Sequence, residues 1–504
     1  MHLRDGASGA LAAGLGLGIS ELVAGLFGRL PSLVEGLGNL VIDDSPEPVK
    51  EWAIQTFGTA DKLVLLIGIV VTTLVLGALV GVFARRRFGL AIGVFAAFGL
   101  AAALATSRDP LVGIGMAIIP AGAAALGGLA TLRMLYDAGM PESSTDSSRR
   151  SFIIGAGAVL GLAALTAGLG RVLVERAKAA VAGRAEVLLP SPATGLPPVP
   201  QTAELGVEGL TPIIVPNDDF YRIDTVISVP TVDLQEWTLT VNGMVERPYT
   251  IDFSDLLDMR MVERDVTLSC VSNPVGGGLV GNARWQGVPL REILDRAGVS
   301  EGAEQVVGRS VDDFTVGFPL EAAYDGREAL VAVGMNGEPL PFEHGFPARL
   351  VVAGLYGYVS ATKWLTEIEL TTWDGFDAYW VPKGWAKEGP IKTQSRIDTP
   401  SDDNEVPAGR VTVAGVAWAP IRGISKVELR LGDTSEWVGA ELSEPLSASS
   451  WVQWRVDWDA TPGRHVITCR ATDGHGDLQT EERRPPAPDG ATGWHQVAVS
   501  VMEA

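Results

Sequence analysis

Cysteine is scarce in this chain. Its 504 residues carry two, Cys270 and Cys469, in unlike settings. That excludes a disulfide framework, and neither a C-x-x-C-H haem attachment nor a paired-cysteine zinc motif occurs. The five histidines (His2, His344, His465, His475 and His495) all lie outside the long apolar stretches, so paired axial ligands for a membrane haem are missing. Positive charge is also short. Thirty-nine Lys and Arg stand against 60 Asp and Glu, a net charge of −21. No basic stripe exists to neutralise phosphates, which argues against nucleic acid as a partner.

Apolar residues are plentiful, 47% of the chain, and their excess lies in the first third. Five stretches, roughly Ala7–Phe27, Leu63–Phe83, Phe88–Ala105, Leu111–Leu132 and Phe152–Gly170, are long enough or nearly so to cross a hydrocarbon core of about 30 Å. Glu21 is the only ionisable residue within them. The first stretch, "GLGLGIS", is rich in small residues that let helices pack closely. A nearly uncharged bundle argues for an anchor, with membrane lipid as partner, rather than a transporter. A cytoplasmic N-terminus places Arg4, Arg85, Arg86, Arg87, Arg133, Arg149 and Arg150 inside, against Arg29, Lys50, Lys62 and Arg108 outside. With five spans, everything after about Gly170 is then extracytoplasmic.

Past the last span, "LVERAKAAVAGRAEVL" can continue its helix, and "LPSPATGLPPVPQ" reads as an extended connector. From Asn217, strand patterns ("WTLTVNGMV", "RDVTLSCV") mix with short helices ("FSDLLDM", "VPLREILDRAGV"). From about Glu405, short alternating strands separated by turns suggest an immunoglobulin-like β-sandwich. The expected architecture is therefore multi-domain: an all-α five-span domain (1–172), a helix extension and linker (173–216), an α+β domain (217–400) and a β-sandwich (401–504). Cys469, inside a sandwich strand, reads as a core thiol. Cys270 ends a strand and enters a loop of Ser, Asn and Gly, where a thiol can be presented to a ligand.

The runs "CVSN…GNARWQGVPLREIL", "MNGEPLPFEHGFPARLVVAGLYGYVSATKWLTEIEL" and "IKTQSRIDTP" resemble the sulfite-oxidase family of molybdenum enzymes. The resemblance implies a molybdenum–molybdopterin cofactor with Cys270 as its sole protein ligand, a role suited to a soft thiolate. "DFYRIDT" would place Tyr221 and Arg222 at the cofactor, with Arg222 also facing substrate. His344, Arg349, Ala361, Thr362 and Lys363 would hold the pterin and its phosphate. Asp312 or Asp313 would match a pterin-contacting aspartate, and Arg422 would reach the site from the last domain. The resemblance further implies pairing of two copies through that domain, giving a homodimer.

Three departures bear on the substrate. Ile223 replaces an Asn of the family's F-x-R-N segment. Pro274 and Val275 stand where arginines usually follow the cysteine loop's Asn. Phe314, in "FTVGFPL", stands where the family carries a tyrosine. The activity expected is two-electron oxygen-atom transfer to or from a small molecule, either sulfite-type oxidation or reduction of S- or N-oxides. With no haem or iron–sulfur motif in the chain, electrons need a separate partner: a quinone, a cytochrome or another subunit. The alternative outside enzymology is an anchored binding protein, which predicts no bound molybdenum. Finally, "SRRSFI" (Ser148 to Ile153) resembles a twin-arginine export signal. A domain that receives its cofactor in the cytoplasm has to cross the membrane folded, which makes the twin-arginine translocase an expected partner.

Overall fold

The computed structural model describes residues 2–27, 32–46, 49, 52–53, 56–57, 60–108, 112–137, 145–227, 229–432 and 436–503; within these, the side chains of 2, 43, 145–149, 175 and 177–182 are left aside. Arg29, Lys50 and the side chains of Ser148 and Arg149 therefore lie outside the described residues. The chain divides into two compact units, 1–185 with 225–233, and 186–224 with 234–504.

The first unit is helical: α1 (His2–Phe27), α2 (Leu33–Asp44), α3 (Asp61–Ala84), α4 (Phe88–Thr106), α5 (Ile114–Asp137) and α6 (Thr145–Ala182). All but α2 are long and apolar enough to cross a membrane. Helix α1 packs against α3, α5 and α6. Its glycines are the reason it can. A Cβ at Gly16 would lie 2.9 Å from Ala124 O, and one at Gly25 only 2.5 Å from Gly170 O. Outward, α3 exposes Leu63, Ile67, Val71, Val75, Leu79 and Phe83. That spacing of four makes one apolar stripe, which suits lipid. Helix α2 opens with a reciprocal cap: Ser32 Oγ accepts from Glu35 N (3.1 Å) and Ser32 N donates to Glu35 Oε2 (3.3 Å). Glu35 Oε1 also accepts from Arg171 of α6 at 2.8 Å. Helix α6 runs unbroken beyond its apolar part, as the sequence suggested.

The second unit opens with strands β1 (Thr238–Gly243), β2 (Tyr249–Asp252), β3 (Val262–Ser269), β4 (Val280–Pro289), β5 (Gln305–Ser310), β6 (Thr315–Pro319), β7 (Ala329–Met335), β8 (Glu338–Pro339), β9 (Arg349–Val352) and β10 (Leu365–Thr371). They form two sheets, ordered β2-β1-β10-β5-β6 and β3-β4-β7-β8, with β9 added on β7. Helices α7 (Phe253–Leu257) and α8 (Leu290–Ala297) are the two short helices read from the sequence, and α9 (Gly357–Ser360) is a single turn. Leu239, Ile251, Trp285, Leu290, Ile293 and Phe318 are all fully buried. The site-bearing loops follow from this topology. The β3–β4 connection carries Cys270, the β5–β6 turn carries Asp312 to Phe314, and the β9–β10 connection carries Ala361 to Lys363.

The rest of the unit is a pair of sheets. Strands β11 (Gln394–Thr399), β12 (Glu405–Pro407), β13 (Gly409–Trp418), β14 (Ile424–Leu431), β15 (Val438–Gly439), β16 (Glu441–Leu442), β17 (Val452–Ala460), β18 (Gly463–Asp473) and β19 (His495–Met502) are ordered β11-β13-β17-β16 and β12-β19-β18-β14-β15. Both sheets send alternate residues into one core that includes Val413, Trp454, Leu429, Ile467, Cys469 and Val499. Cys469 is a core thiol as expected, fully buried and 3.3 Å from Ser395 Oγ. Strand β11 pairs antiparallel with β13, so the two-sheet region starts at Gln394, a few residues before position 401. Residues 225–233 group with the helices although the sequence places them beside the α+β domain.

Leu429 is fully buried in this core. Leu429→Ala is expected to cost about 2–5 kcal/mol, read as a lower denaturant midpoint for the unit carrying the sandwich, with the helical signal of the membrane bundle unchanged.

Candidate functional site

Cys270 follows the last residue of β3 and starts the β3–β4 connection. The loop is closed by its own backbone: Cys270 N donates to Leu279 O (2.9 Å) and Gly277 N to Pro274 O (2.9 Å). Asn273 fastens it, its Oδ1 accepting from Leu279 N at 2.9 Å. The thiol is partly exposed. Burial raises its pKa, opposed by hydrogen bonds from Ser272 and by the Lys363 charge. An empty site thus keeps the proton, and a bound metal would displace it.

Two residues of the sandwich grip this loop. Arg396 of β11 donates from Nη1 to Gly277 O (2.9 Å) and from Nη2 to Thr211 Oγ1 (2.9 Å). Its own charge is matched by Asp398 at 2.6 Å. Gly276, at φ +79°, lies flat against the His495 ring of β19, and a Cβ there would collide with it. His495 Nδ1 accepts from Ile397 N at 3.0 Å. Neither contact is visible in the sequence, since Arg396 and His495 lie 126 and 225 positions from Cys270, although Arg396 falls within the run "IKTQSRIDTP".

Beside Cys270 lies a buried group of cations. Arg349 is 3% exposed and Lys363 9%. Arg349 Nη1 donates to His344 O (3.0 Å), and its guanidinium sits 5.0 Å from the Trp285 ring centre. Arg222 and Lys363 converge on one buried carboxylate, Asp224, at 2.8 and 3.3 Å. Burial pushes Lys363 down to about 8 despite Asp224, and Arg349 down to about 10. Burial together with the surrounding cations holds His344 near 4. Phe220, itself buried, orders the neighbourhood. It stacks on Tyr221 (5.2 Å) and meets His344 and Trp285 edge-on at 5.5 and 5.8 Å.

The group has vacant valences. His344 Nε2 is 2.9 Å from the Asn217 carbonyl, which fixes the proton there and leaves Nδ1 as an acceptor. Among the described residues, buried His344 Nδ1 and Thr362 Oγ1 have no partner. Two cations, Arg222 and Lys363, share Asp224, and Asp312 is itself raised, by burial first and with Asp224 adding to it. Buried polar atoms and charges without partners are costly. A polar, anionic ligand is what would satisfy this set, so the residues fit a phosphate-bearing pterin.

Most of the expected site residues come together. Tyr221 feels both Cys270 and Arg349, while burial raises its phenol. Asp312 turns its carboxylate to Phe314 N (3.3 Å) beside Asp224. Asp313 is exposed at φ +64°, so of the two only Asp312 lies in the cluster. Ala361 takes part through its backbone, donating to Gly357 O (2.9 Å). Arg422 follows Ile421, a β-branched residue at φ +68°, a conformation costing about 1–3 kcal/mol. It is pinned by Asp473 (2.8 Å), Ile391 O (3.0 Å) and Thr393 Oγ1 (3.2 Å). Phe314 instead packs on Tyr379 at 5.5 Å.

Residues 226–380 match the family model of the oxidoreductase molybdopterin binding domain. The chain is 34% identical over 157 residues to the uncharacterized oxidoreductase YuiH of Bacillus subtilis, covering 31% of this chain and 76% of that protein. It belongs to the sulfite-oxidase family of molybdopterin oxidoreductases. As a family member it is an oxidoreductase with a molybdenum cofactor. Human mitochondrial sulfite oxidase is 28% identical over 320 residues, 54% of this chain, which spans 58% of the human enzyme's length. Barley nitrate reductase [NAD(P)H] is 26% identical over 347 residues, 56% of this chain and 38% of that enzyme. The sulfane dehydrogenase SoxCD of Paracoccus pantotrophus superposes with a TM-score of 0.50 at 23% identity, over 58% of this chain and 84% of that one, a likeness of fold.

Burial, with Arg396 adding to it, holds His495 near 4, against an unfolded value of about 6.5. A lowered histidine favours the folded state while neutral. Its contribution is complete above about pH 6.5 and is lost as pH falls towards 4. His495→Gln, which keeps an acceptor for Ile397 N, is expected to shrink the drop in melting temperature between pH 7 and pH 5.

Proposed function

We propose that this family member is a membrane-anchored oxidoreductase carrying out two-electron oxygen-atom transfer on a small oxo-bearing molecule, with its catalytic domains on the extracytoplasmic face. The observation that carries the reading is the placement of Cys270 at a strand end beside two buried cations, Arg349 and Lys363. Cys270 is the metal ligand. The family resemblance implies that the other ligands come with the cofactor.

When bound, the molybdenum cofactor supplies the two-electron couple and the site of oxygen exchange. The chain supplies position and charge. Arg349 and Lys363 offer donors to the phosphate, with Arg222 beside them. His344 accepts at Nδ1, Thr362 offers its hydroxyl, and Ala361 holds the turn. Tyr221 covers the metal side, and Asp312 limits the positive charge. Arg422, held by Asp473, faces the substrate oxygen. Reduction of an S- or N-oxide is the second reading. It is favoured by Pro274 and Val275, which stand where sulfite-type enzymes are expected to carry basic groups, and by Phe314, which has no hydroxyl at its own position.

The domains are read as 1–172, 173–216, 217–400 and 401–504, with the last immunoglobulin-like and able to pair two copies. Electrons pass to or from a quinone, a cytochrome or another subunit. Arg149 and Arg150, before the last span, hand the loaded domain to the twin-arginine translocase. Arg150 is exposed, and the helical backbone through this stretch is compatible with either a span anchor or a signal.

Cys270→Ser is expected to reduce molybdenum in the purified full-length protein from near one per chain to a small fraction, measured by elemental analysis. A stoichiometric metal content in wild type is the outcome an anchored binding protein does not allow. Changing both Arg149 and Arg150 to Lys keeps the charge; protease accessibility of the metal-loaded domain in intact cells should then be lost. Unchanged accessibility would leave the arginines as a topological anchor alone.

A further inference from the structure

Phe314 packs against Tyr379 and offers no hydroxyl to a substrate. A different phenol lies at the site. Tyr356 caps α9 and is 4% exposed. Its backbone is fixed on both sides, N–H to Gly389 O (2.7 Å) and C=O from Ser360 Oγ (3.1 Å). The hydroxyl accepts from Lys392 N at 3.5 Å. Among the described residues it donates to nothing. Three other phenols use their proton: Tyr249 donates to Ile293 O (2.8 Å), Tyr324 to Asp295 (3.0 Å) and Tyr358 to Ala386 O (2.6 Å).

The segments beside Tyr356 lead to Cys270 on one side and to Arg422 on the other. On one side Gly357, the next residue, adjoins Ser269, the residue before Cys270. On the other, Lys392 lies between Ile391 and Thr393, both of which accept from Arg422 Nη2. Ile421, in its strained conformation, sets its side chain on Gly354, two residues before Tyr356. Gly490, at φ +100°, leaves the hydroxyl its space; a Cβ there would lie 2.5 Å from Oη.

We propose that Tyr356 is the substrate-contacting phenol of this site, donating its hydroxyl to an oxygen of the oxo-bearing substrate held between Cys270 and Arg422. This rests on the function proposed above and places in the β9–α9 connection the donor that Phe314 cannot be. Burial first, with Asp489 and then Cys270 adding to it, lifts the phenol to about 12, opposed by the Lys392 N–H and by Arg422. It is therefore a donor throughout the neutral range and not a base. The same hydrogen bond serves either direction of oxygen transfer, because the acceptor oxygen is present in sulfite-type substrates and in S- or N-oxides alike.

Detergent-solubilised full-length wild type and Tyr356→Phe are compared for molybdenum content and for equilibrium binding of inorganic sulfate, an inert oxyanion. The expected result is equal metal and sulfate bound about tenfold or more weaker in Tyr356→Phe, the effect of deleting a donor to a charged acceptor. Equal sulfate affinity in two loaded proteins, or no binding to either, overturns the proposal alone. Loss of molybdenum from Tyr356→Phe overturns it in favour of a cofactor-positioning role. Absence of molybdenum from wild type overturns the underlying function, and the proposal with it.

Discussion

The second unit is organised around a buried charge imbalance. Arg349 is almost fully enclosed and Lys363 nearly so, and Lys363 shares Asp224 with the exposed Arg222. Enclosing cations costs several kcal/mol each unless counter-charge and hydrogen bonds replace water. Asp224 answers two of them. Asp312 contributes less, because burial and its neighbour favour its protonated form. Among the described residues, Arg349 has only carbonyl partners and an aromatic face. The protein tolerates this because Phe220, Trp285 and the β9–β10 connection hold the groups in place, and a dianionic phosphate would turn the cost into attraction. The lowered pKa values of Lys363 and Arg349 express the same strain.

That imbalance also explains why two sets of sheets share one site. The α+β sheets provide the cradle but leave the thiol on a ten-residue loop. Arg396 and His495 of the sandwich press on that loop at Gly276 and Gly277, and Arg422 comes from the turn between β13 and β14. A single thiolate ligand offers no chelation of its own, so its direction depends on how firmly the loop is held. Strain is placed accordingly. Ile421 and Trp364, at φ +68° and +49°, flank Arg422 and Lys363. Bulky residues persist there only when surrounding packing over-determines them.

Periodicity made the helices and most strands legible. The apolar stretches are long, and "VTLS" and "WRVDW" alternate cleanly. The cofactor residues were legible only together, through runs such as "HGFPAR" and "SATKW"; singly, His344 or Lys363 is an ordinary polar residue. Choosing Asp312 over Asp313 needed the β5–β6 turn, because both neighbours can follow a strand and only the left-handed backbone at Asp313 sends one outward. Arg396, His495 and Asp224 stayed hidden because their roles are contacts across long sequence separations. Tyr356 hid in plain view inside "GLYGYVS", where alternating Gly and aromatics read as packing and only the unspent hydroxyl proton distinguishes it from Tyr358.

The charge imbalance bears on where the unit is completed. Partnerless acceptors and crowded cations make the ligand-free fold less stable than the filled one, so ligand binding and folding are linked. A cofactor bound in this way becomes part of the core rather than a passenger. On the reading proposed above, the unit then reaches the membrane as a closed, loaded body that an unfolded-chain route would have to dismantle, with loss of the cofactor. The helical bundle has the opposite requirement. Its α1 glycines bring backbone within contact of α5 and α6, the small-residue packing that suits helices associating in lipid. On the same reading, two parts of one chain obey different assembly rules.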